Sequence, residues 1–234
     1  MTENWINELY AKGNPEKAKI LSSFFKTGKG EYGEGDVFIG VTVPDNRAIA
    51  KKYYESSFGD ISEMLKNQIH EIRLSALLAL VIKFKKKKSE REEILKFYID
   101  NCSTCNNWDL VDLSAPYILG EYMVNNPMPT LLEKLSESEN FWKQRIAIVS
   151  TLTLIRHGRF METLKLAEKY LSHQEPLIHK ATGWTLREIG KKDIDTLRAF
   201  LDKFASIMPR TALRYAIERL EKEEKAKYMA IKRK

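Results

Sequence analysis

The sequence predicts an all-α fold, an α-solenoid of stacked helix pairs. Apolar residues recur at helical spacing along almost the whole chain of 234 residues, and strand-like alternation is rare. Comparable helices are predicted to begin at intervals of about 35 residues, which is typical of helical repeats. The predicted starts are His70, Asn107, Asn140, Pro176 and Pro209. Shorter helices, such as residues 89–101 and 160–172, are predicted between them.

Local signals indicate where several helices start and stop. Ser89 followed by Glu92 fits a capping box, in which each side chain bonds the other residue's backbone N–H. Asp193 suits the first turn of a helix, and Gly158 and Gly190 stand where helices are expected to end.

One stretch departs from the helical pattern. Residues 37–43, with the sequence VFIGVTV, alternate weakly and are followed by Pro44. We expect a short extended segment there, leading into a helix that starts near Asp45.

Composition indicates a folded core with a moderate basic excess. Hydrophobic residues make up 43% of the chain, the formal net charge is +7 and the pI is about 9.2. This balance allows nucleic acid as a partner without requiring it. We predict a single domain over residues 1–234. Within it, residues 1–60 hold N-terminal helices and a glycine-rich loop, residues 61–222 the repeats, and residues 223–234 a basic tail.

Several function classes are disfavoured. Cys102 and Cys105 form one C-x-x-C pair without the second pair that a zinc site needs, so we expect no metal and no cofactor. The loop Thr27–Asp36 matches G-x-G-x-x-G, but a helix precedes it and no βαβ unit surrounds it. Its amides and Lys29 could meet a phosphate, or it could simply connect helices. The polar N-terminus and the absence of long apolar runs predict a cytoplasmic protein without a secretory signal or membrane span.

A basic residue followed two positions later by a small one recurs in the repeats. The small residue would let helices approach closely, and the basic residues would form a positive track on a concave surface that matches duplex DNA. Ordinary solvated charges on a protein-interaction scaffold are the alternative that the pattern leaves open. The pairs are Arg73/Ser75, Arg145/Ala147, His179/Ala181 and Arg210/Ala212.

Three consecutive repeats carry residues that could act in chemistry. Trp108 and Asp112 are four residues apart and share a face if the segment is helical. Arg145 follows in the next repeat, and Trp184 with Arg187 in the one after. Tryptophans on amphipathic helices are more often core residues, and a helical aspartate is more often a cap or solvated, so both interpretations stay open here.

The chain resembles the AlkD-type DNA alkylation repair family of HEAT-like repeat glycosylases. The resemblance spans most of the chain in the right order, and its last piece is the most specific. The matching pieces are NPEKA at 14–18, FIGV at 38–41 followed by Pro44 and Arg47, W-D-x-x-D at 108–112, W-x-x-R-x-A at 142–147 and K-A-x-G-W-x-L-R-E at 180–188.

The resemblance implies an active cleft formed by Asp112, Trp108, Trp184 and Arg145, the last holding a phosphate. It also implies an aromatic residue of an early helix near the lesion, either Phe24 or Phe25. The loop before Asp36 is longer than in some members of the family. Further candidate DNA contacts are Arg187, Lys180, Lys143, Arg47, Arg210 and Arg214.

These residue types suit the excision of alkylated purines such as 3-methyladenine and 7-methylguanine. An N3- or N7-alkylated purine is already cationic and leaves as a neutral base, so a single carboxylate that stabilises the sugar cation and orients water is enough. We therefore expect a monomeric DNA glycosylase acting on double-stranded DNA. A non-catalytic DNA-binding repeat protein and a protein-interaction scaffold are the alternatives.

Overall fold

A computed structural model describes residues 2–232, and the regular secondary structure of these residues is entirely helical. The prediction of an all-α fold built from repeated helix pairs is confirmed. The chain folds as two compact units, Met1–Ser114 and Ala115–Lys234. The single domain expected for residues 1–234 stays a prediction. The expected division after residue 60 falls inside a helix, Phe58–Leu65, and the last two residues of the expected basic tail lie outside the described residues.

The first unit is organised around one long buried helix. The helices of this unit are α1 (Thr2–Ala11), α2 (Pro15–Phe24), α3 (Val43–Ala50), α4 (Phe58–Leu65), α5 (His70–Lys86), α6 (Arg91–Asn101) and α7 (Trp108–Asp112). The long helix is α5: thirteen of its side chains are buried, and it packs against α1, α3, α4, α6 and α7. By contrast, α2 has no buried residue and lies at the surface. Single 3-10 turns precede and follow α6, at Lys88–Glu90 and Cys102–Thr104.

The first helix is fixed to α5 by a buried tryptophan. The indole Nε1 of Trp5 donates to Oγ of Ser75 at 2.8 Å, and its ring stacks on Tyr53 with the ring centres 5.0 Å apart. Trp5 and Ser75 are both fully buried. A bulkier residue at position 75 would push α1 away, which explains the small residue in this repeat.

The second unit is organised around two long helices. Its helices are α8 (Leu119–Asn125), α9 (Pro129–Ser136), α10 (Phe141–Arg156), α11 (Met161–Lys169), α12 (Pro176–Gly190), α13 (Ile194–Phe204), α14 (Arg210–Ala216) and α15 (Lys222–Ala230). Helix α10 packs against α8, α9, α11 and α12, and helix α12 packs against α10, α11, α13 and α14. Two 3-10 turns lie at Ala115–Tyr117 and Tyr170–Ser172.

Small residues allow close helix contacts, as expected. Ala147, Ala181 and Ala212 are buried. At Gly183 of α12, an added Cβ would lie 2.4 Å from the carbonyl oxygen of Ala212 in α14, so these two helices touch through their backbones.

The predicted helix starts are confirmed. His70 begins α5 and Pro176 begins α12, where a proline loses no helical hydrogen bond. Asn107 caps α7 by accepting from the amide of Trp108, and Asn140 caps α10 by accepting from the amide of Trp142. Pro209 precedes the first residue of α14.

The capping box predicted at Ser89 is wrong. Ser89 lies inside the 3-10 turn before α6, and the residue that caps this helix, Glu90, makes no side-chain hydrogen bond to it. Ser89 has the backbone conformation of a 3-10 turn, whereas a serine that caps a helix needs an extended backbone. A capping box does form at α4, between Ser57 and Asp60.

The extended segment is present, although it forms no sheet. Val37 makes an isolated parallel bridge with Ile69, just before α5. Thr42 caps α3 by accepting from the amide of Asp45, so that helix starts at Val43, two residues earlier than expected. Within residues 2–232, none of the helices combines the length and the apolarity that crossing a bilayer requires.

Candidate functional site

Trp108 and Asp112 stand at the two ends of a single short helix, α7. The side chain of Asn107 accepts from the amide of Trp108 at 2.8 Å and so fixes where the helix begins. One helical turn separates Trp108 from Asp112, and both side chains are half-buried. The expectation that these two residues share a face is met, because both line the same cleft of the first unit.

The cleft has a volume of about 550 Å³ and a mainly apolar wall. It is bounded by α2 on one side, by the segment 38–44 on another, and by the first turns of α5 and α7. Three carboxylates reach it, from Glu71, Asp109 and Asp112. The remaining lining residues are Lys17, Ile20, Leu21, Phe24, Phe25, Phe38, Gly40, Val41, Thr42, Val43, Pro44, His70, Leu74, Trp108 and Leu113.

Phe24 and Phe25, one of which was expected near the lesion, both contact Trp108. The ring of Phe25 stacks on the indole with centres 5.1 Å apart, and Phe24 meets it edge-on at 5.9 Å. Phe25 is buried, whereas Phe24 is 61% exposed at the rim. Of the two, Phe24 is therefore the one that a bound molecule could reach.

The loop Thr27–Asp36 also touches Trp108. The hydroxyl oxygen of Tyr32 accepts a hydrogen bond from Nε1 of Trp108 at 3.3 Å. The amides of Gly28 and Gly30 donate to the loop's own carboxylates, Glu31 and Glu34. These two amides therefore stabilise the loop itself, and the interpretation of the loop as a phosphate cradle gains no support from them.

A buried network of charged residues lies behind α7, and the sequence analysis did not identify it. Nδ1 of His70 lies 3.0 Å from Oδ2 of Asp36, and its Nε2 lies 2.8 Å from Oδ2 of Asp109. Arg73 donates to the other oxygen of Asp36 at 2.7 Å, as does the side-chain amide of Asn106. All the charged members are buried. The signal was present in the sequence as three ionisable residues, His70, Glu71 and Arg73, at the start of a helix whose middle, residues 74–82, is almost entirely apolar.

The network holds His70 in its protonated form. Burial acts to lower the pKa of His70, but the charge of Asp109 and the hydrogen bonds to Asp109 and Asp36 outweigh it and raise the pKa to about 9. Burial likewise acts to raise the pKa of Asp36, but His70 and Arg73 keep that pKa below its ordinary value. At neutral pH, an imidazolium therefore joins two carboxylates in the core of the first unit.

Glu71 shapes the wall of the cleft from the same helix turn. Its buried carboxylate accepts hydrogen bonds from three successive backbone amides, those of Ile39, Gly40 and Val41, at 2.7 to 3.2 Å. Gly40 has a φ of +83°, and an added Cβ would lie 2.0 Å from the carbonyl oxygen of Asn14. The segment 38–41 therefore needs both a buried acid and a glycine.

Arg145 and Trp184, the other two expected site residues, lie in the second unit. Arg145, in the second turn of α10, is 4% exposed, and its guanidinium donates to the carbonyl oxygen of Leu177 at 2.6 Å. Trp184, in the middle of α12, is half-buried. Trp108 and Trp184 are therefore both partly exposed to solvent. The catalytic interpretation requires this, because the indole rings must reach the DNA.

The recurring basic residue serves backbone carbonyls in every repeat where it was noted. Arg73 donates to the carbonyls of Asn67 and Gln68, and Arg210 to those of Met229 and Ile231. Nε2 of His179 lies 2.5 Å from the carbonyl oxygen of His173, which precedes α12. The pattern predicted a surface track and did not reveal this structural role.

The remaining expected DNA contacts differ in accessibility. Arg47 of the first unit, and Lys180 and Arg214 of the second, are exposed. Lys143 is half-buried. Arg187, also half-buried, is paired with Glu218 and Glu188.

Cys102 and Cys105 are buried just after the end of α6, and burial raises the pKa of Cys105 far above its ordinary value. Among the residues that the structure describes, no group of three or more His, Cys, Asp or Glu side chains could hold a metal ion.

Comparison with known proteins gives three findings. One solved structure with a similar fold is that of a predicted DNA alkylation repair enzyme from Enterococcus faecalis, with a TM-score of 0.69 and 21% sequence identity over 90% of this chain and 98% of that one. No curated protein matches the chain significantly. A family model described as DNA alkylation repair enzyme matches residues 5–220. Because this match covers nearly the whole chain, the protein belongs to the DNA alkylation repair enzyme family.

Proposed function

We propose that this protein is a DNA glycosylase that hydrolyses the N-glycosidic bond of positively charged alkylated purines in double-stranded DNA. Membership of the DNA alkylation repair enzyme family gives the biological setting. The observation that carries the proposal is the pairing of Asp112 with Trp108 on one short helix at the edge of an aromatic cleft.

Asp112 is the best candidate among the three carboxylates of the cleft. Glu71 is committed to three backbone amides. Asp109 is committed to His70 and to the amide of Leu110. Each of these acids has a structural task that would be lost if it moved toward a substrate. Asp112 is half-buried at the end of α7, lines the cleft and matches the second aspartate of the W-D-x-x-D motif.

The chemistry requires only one such carboxylate. The alkylated base leaves as a neutral molecule when the bond from C1′ to nitrogen breaks, and the bonding electron pair stays with the base. The sugar becomes an oxocarbenium-like cation, which the carboxylate stabilises while it orients the attacking water. The water loses its proton as the new bond to C1′ forms.

Trp108 would support the same cation through its ring face. One face of the indole is stacked on Phe25, so the opposite face would meet the deoxyribose. Such a contact with a cation contributes about 0.5–2 kcal/mol. We propose the same role for Trp184 and a phosphate contact for Arg145. The resemblance to the AlkD-type family implies that the lesion stays largely within the base stack.

Binding would be driven by phosphate contacts from the basic residues of both units. The net charge of +7 supports attraction to a polyanion, which salt weakens. The residues proposed for these contacts are Arg47, Lys143, Lys180, Arg187, Arg210 and Arg214.

The test compares Asp112→Asn with the wild-type protein on duplex DNA containing 7-methylguanine. We expect the variant to bind this duplex as the wild type does but to release the free base at least about 100-fold more slowly. Asp100→Asn is the matched control, because Asp100 is an exposed acid of α6 paired with Lys96. Wild-type release rates in Asp112→Asn would rule out the assignment.

The same assay separates the alternatives. DNA binding without base release by the wild-type protein would indicate a non-catalytic DNA-binding repeat protein. If the wild-type protein neither binds DNA nor releases the base, the protein is a scaffold for a protein partner.

A further inference from the structure

We infer that His70 is a positioning residue for Trp108 and Asp112, because it joins the three contacts that fix α7 and the indole ring at the cleft. That this positioning serves catalysis rests on the proposed function. The geometry that supports it lies entirely in the first unit and can be tested without measuring catalysis.

The first contact fixes the backbone of α7. Nε2 of His70 lies 2.8 Å from Oδ2 of Asp109, and the other oxygen of Asp109 accepts from the amide of Leu110 at 2.8 Å. Asp109 directly follows Trp108 and precedes Asp112 by one turn. A helix of five residues has few internal hydrogen bonds, so its rotation depends on such an anchor.

The second contact fixes the loop that holds the indole nitrogen. Nδ1 of His70 lies 3.0 Å from Oδ2 of Asp36, the last residue of the Thr27–Asp36 loop. That loop carries Tyr32, whose hydroxyl oxygen accepts from Nε1 of Trp108. Asp36 also accepts from the side chain of Asn106, two residues before Trp108.

The third contact is a continuous aromatic stack. The ring of His70 stacks on Phe38 at 4.6 Å, Phe38 stacks on Phe25 at 5.1 Å, and Phe25 stacks on Trp108 at 5.1 Å. The imidazolium therefore reaches both the backbone beside Trp108 and the ring that covers one of its faces. Both of its nitrogens must carry a proton to serve two carboxylates at once.

Loss of the His70 proton should therefore disturb Trp108. The charged groups around His70 are Asp36 from the loop, Asp109 and the cleft residue Asp112 from α7, and Arg73 and Glu71 from α5 itself. Deprotonation removes the hydrogen bond from His70 to one of the two carboxylates, and α7 or the loop must then adjust.

The first experiment follows Trp108 by fluorine NMR in protein labelled with 5-fluorotryptophan, with its signal assigned through Trp108→Phe. We expect the wild-type Trp108 signal to shift with a midpoint near pH 9, and this shift to be absent in His70→Gln. Tyr32→Phe should keep the transition, which excludes ionisation of Tyr32 as its source. A Trp108 signal that stays constant from pH 7 to 10 would overturn the inference.

The second experiment measures base release in single turnover at neutral pH. His70→Gln and Asp109→Asn should slow release about 10- to 100-fold while the Kd for the duplex changes less than about 2-fold. His157→Gln is the matched control, because His157 bonds a carbonyl of its own helix in the second unit. Wild-type rates in both folded variants would refute a positioning role.

The outcomes of the two proposals are distinguishable. If the wild type releases no base, the glycosylase proposal fails while the fluorine titration still decides whether His70 positions Trp108. If His70→Gln does not fold, the fluorine titration of the wild type and the rate of base release by Asp109→Asn decide whether His70 positions Trp108.

Discussion

His70 and Asp109 form an ion pair with a distance of 2.8 Å between Nε2 and Oδ2, although 39 positions separate them in the sequence. The pair is buried and links the first residue of α5 to the second residue of α7. Through it, the longest helix of the first unit determines where the cleft residues Trp108 and Asp112 stand.

This ion pair predicts that stability falls on the alkaline side. The pKa of His70 is raised above its ordinary value, so the stabilisation is complete below about pH 6.5 and is lost as the pH rises through about 9. We expect the free energy of unfolding of the wild type to decrease by on the order of 3 kcal/mol between pH 6 and 9.5, relative to His70→Gln. Urea titrations at several pH values measure it, and His157→Gln should behave as the wild type. Parallel curves for the wild type and His70→Gln would contradict the prediction.

Two glycines with positive φ provide a matched test of the cleft wall. Gly40 has a φ of +83° and no space for a Cβ, whereas Gly30 has a φ of +79° and nothing within 4 Å. Gly30→Ala should therefore cost only the conformational penalty, about 1–2 kcal/mol. Gly40→Ala should cost at least about 3 kcal/mol, because segment 38–41 would have to move away from α2 and lose hydrogen bonds to Glu71. Thermal or urea unfolding gives the comparison, and equal costs would show that this wall is not tightly packed.

The sequence predicted the helix starts well because their signals are local. Asn107, Asn140 and Pro176 carry the cap or first-turn chemistry within their own residue type. The same reasoning was wrong at Ser89, since a 3-10 turn replaced the extended backbone that a cap needs.

The candidate site was predictable only in part. The i, i+4 spacing of Trp108 and Asp112 placed both on one helix, and the structure brings both to one cleft. The partners of His70 lie 34 and 39 positions away, and no periodicity reveals which distant acids a buried histidine meets. The hydrogen bonds of the recurring arginines could not be predicted for a similar reason. Their partners are backbone carbonyls, such as that of Leu177 for Arg145, and carbonyls leave no pattern in a sequence.

Salt dependence should distinguish exposed phosphate contacts from arginines with carboxylate partners. Lys180→Gln and Arg214→Gln each remove an exposed cation. The observed association constant for DNA, Kobs, falls as salt rises, and each variant should make the slope of log Kobs against log salt concentration less steep by about 1. Arg198→Gln is the control, since Arg198 is bound to Glu224 and Asp195. Fluorescence anisotropy with an unmodified duplex measures the slopes. Slopes that match the wild type in both variants would remove these two residues from the interface.

The proposed role of Trp184 predicts a graded loss of base release. If its ring face stabilises the sugar cation, Trp184→Phe should keep much of the rate, because a phenyl ring retains a weaker π-face, while Trp184→Ala should lose about 3- to 30-fold. Since Trp184 is half-buried, both variants must first be shown to retain the wild-type unfolding midpoint. Tyr117→Ala removes another aromatic ring of the second unit, one that is 39% exposed, and should leave the rate unchanged. Single-turnover release of 7-methylguanine at fixed salt measures the series. Equal rates for the phenylalanine and alanine variants would show that bulk at position 184, and not an aromatic face, is what the reaction uses.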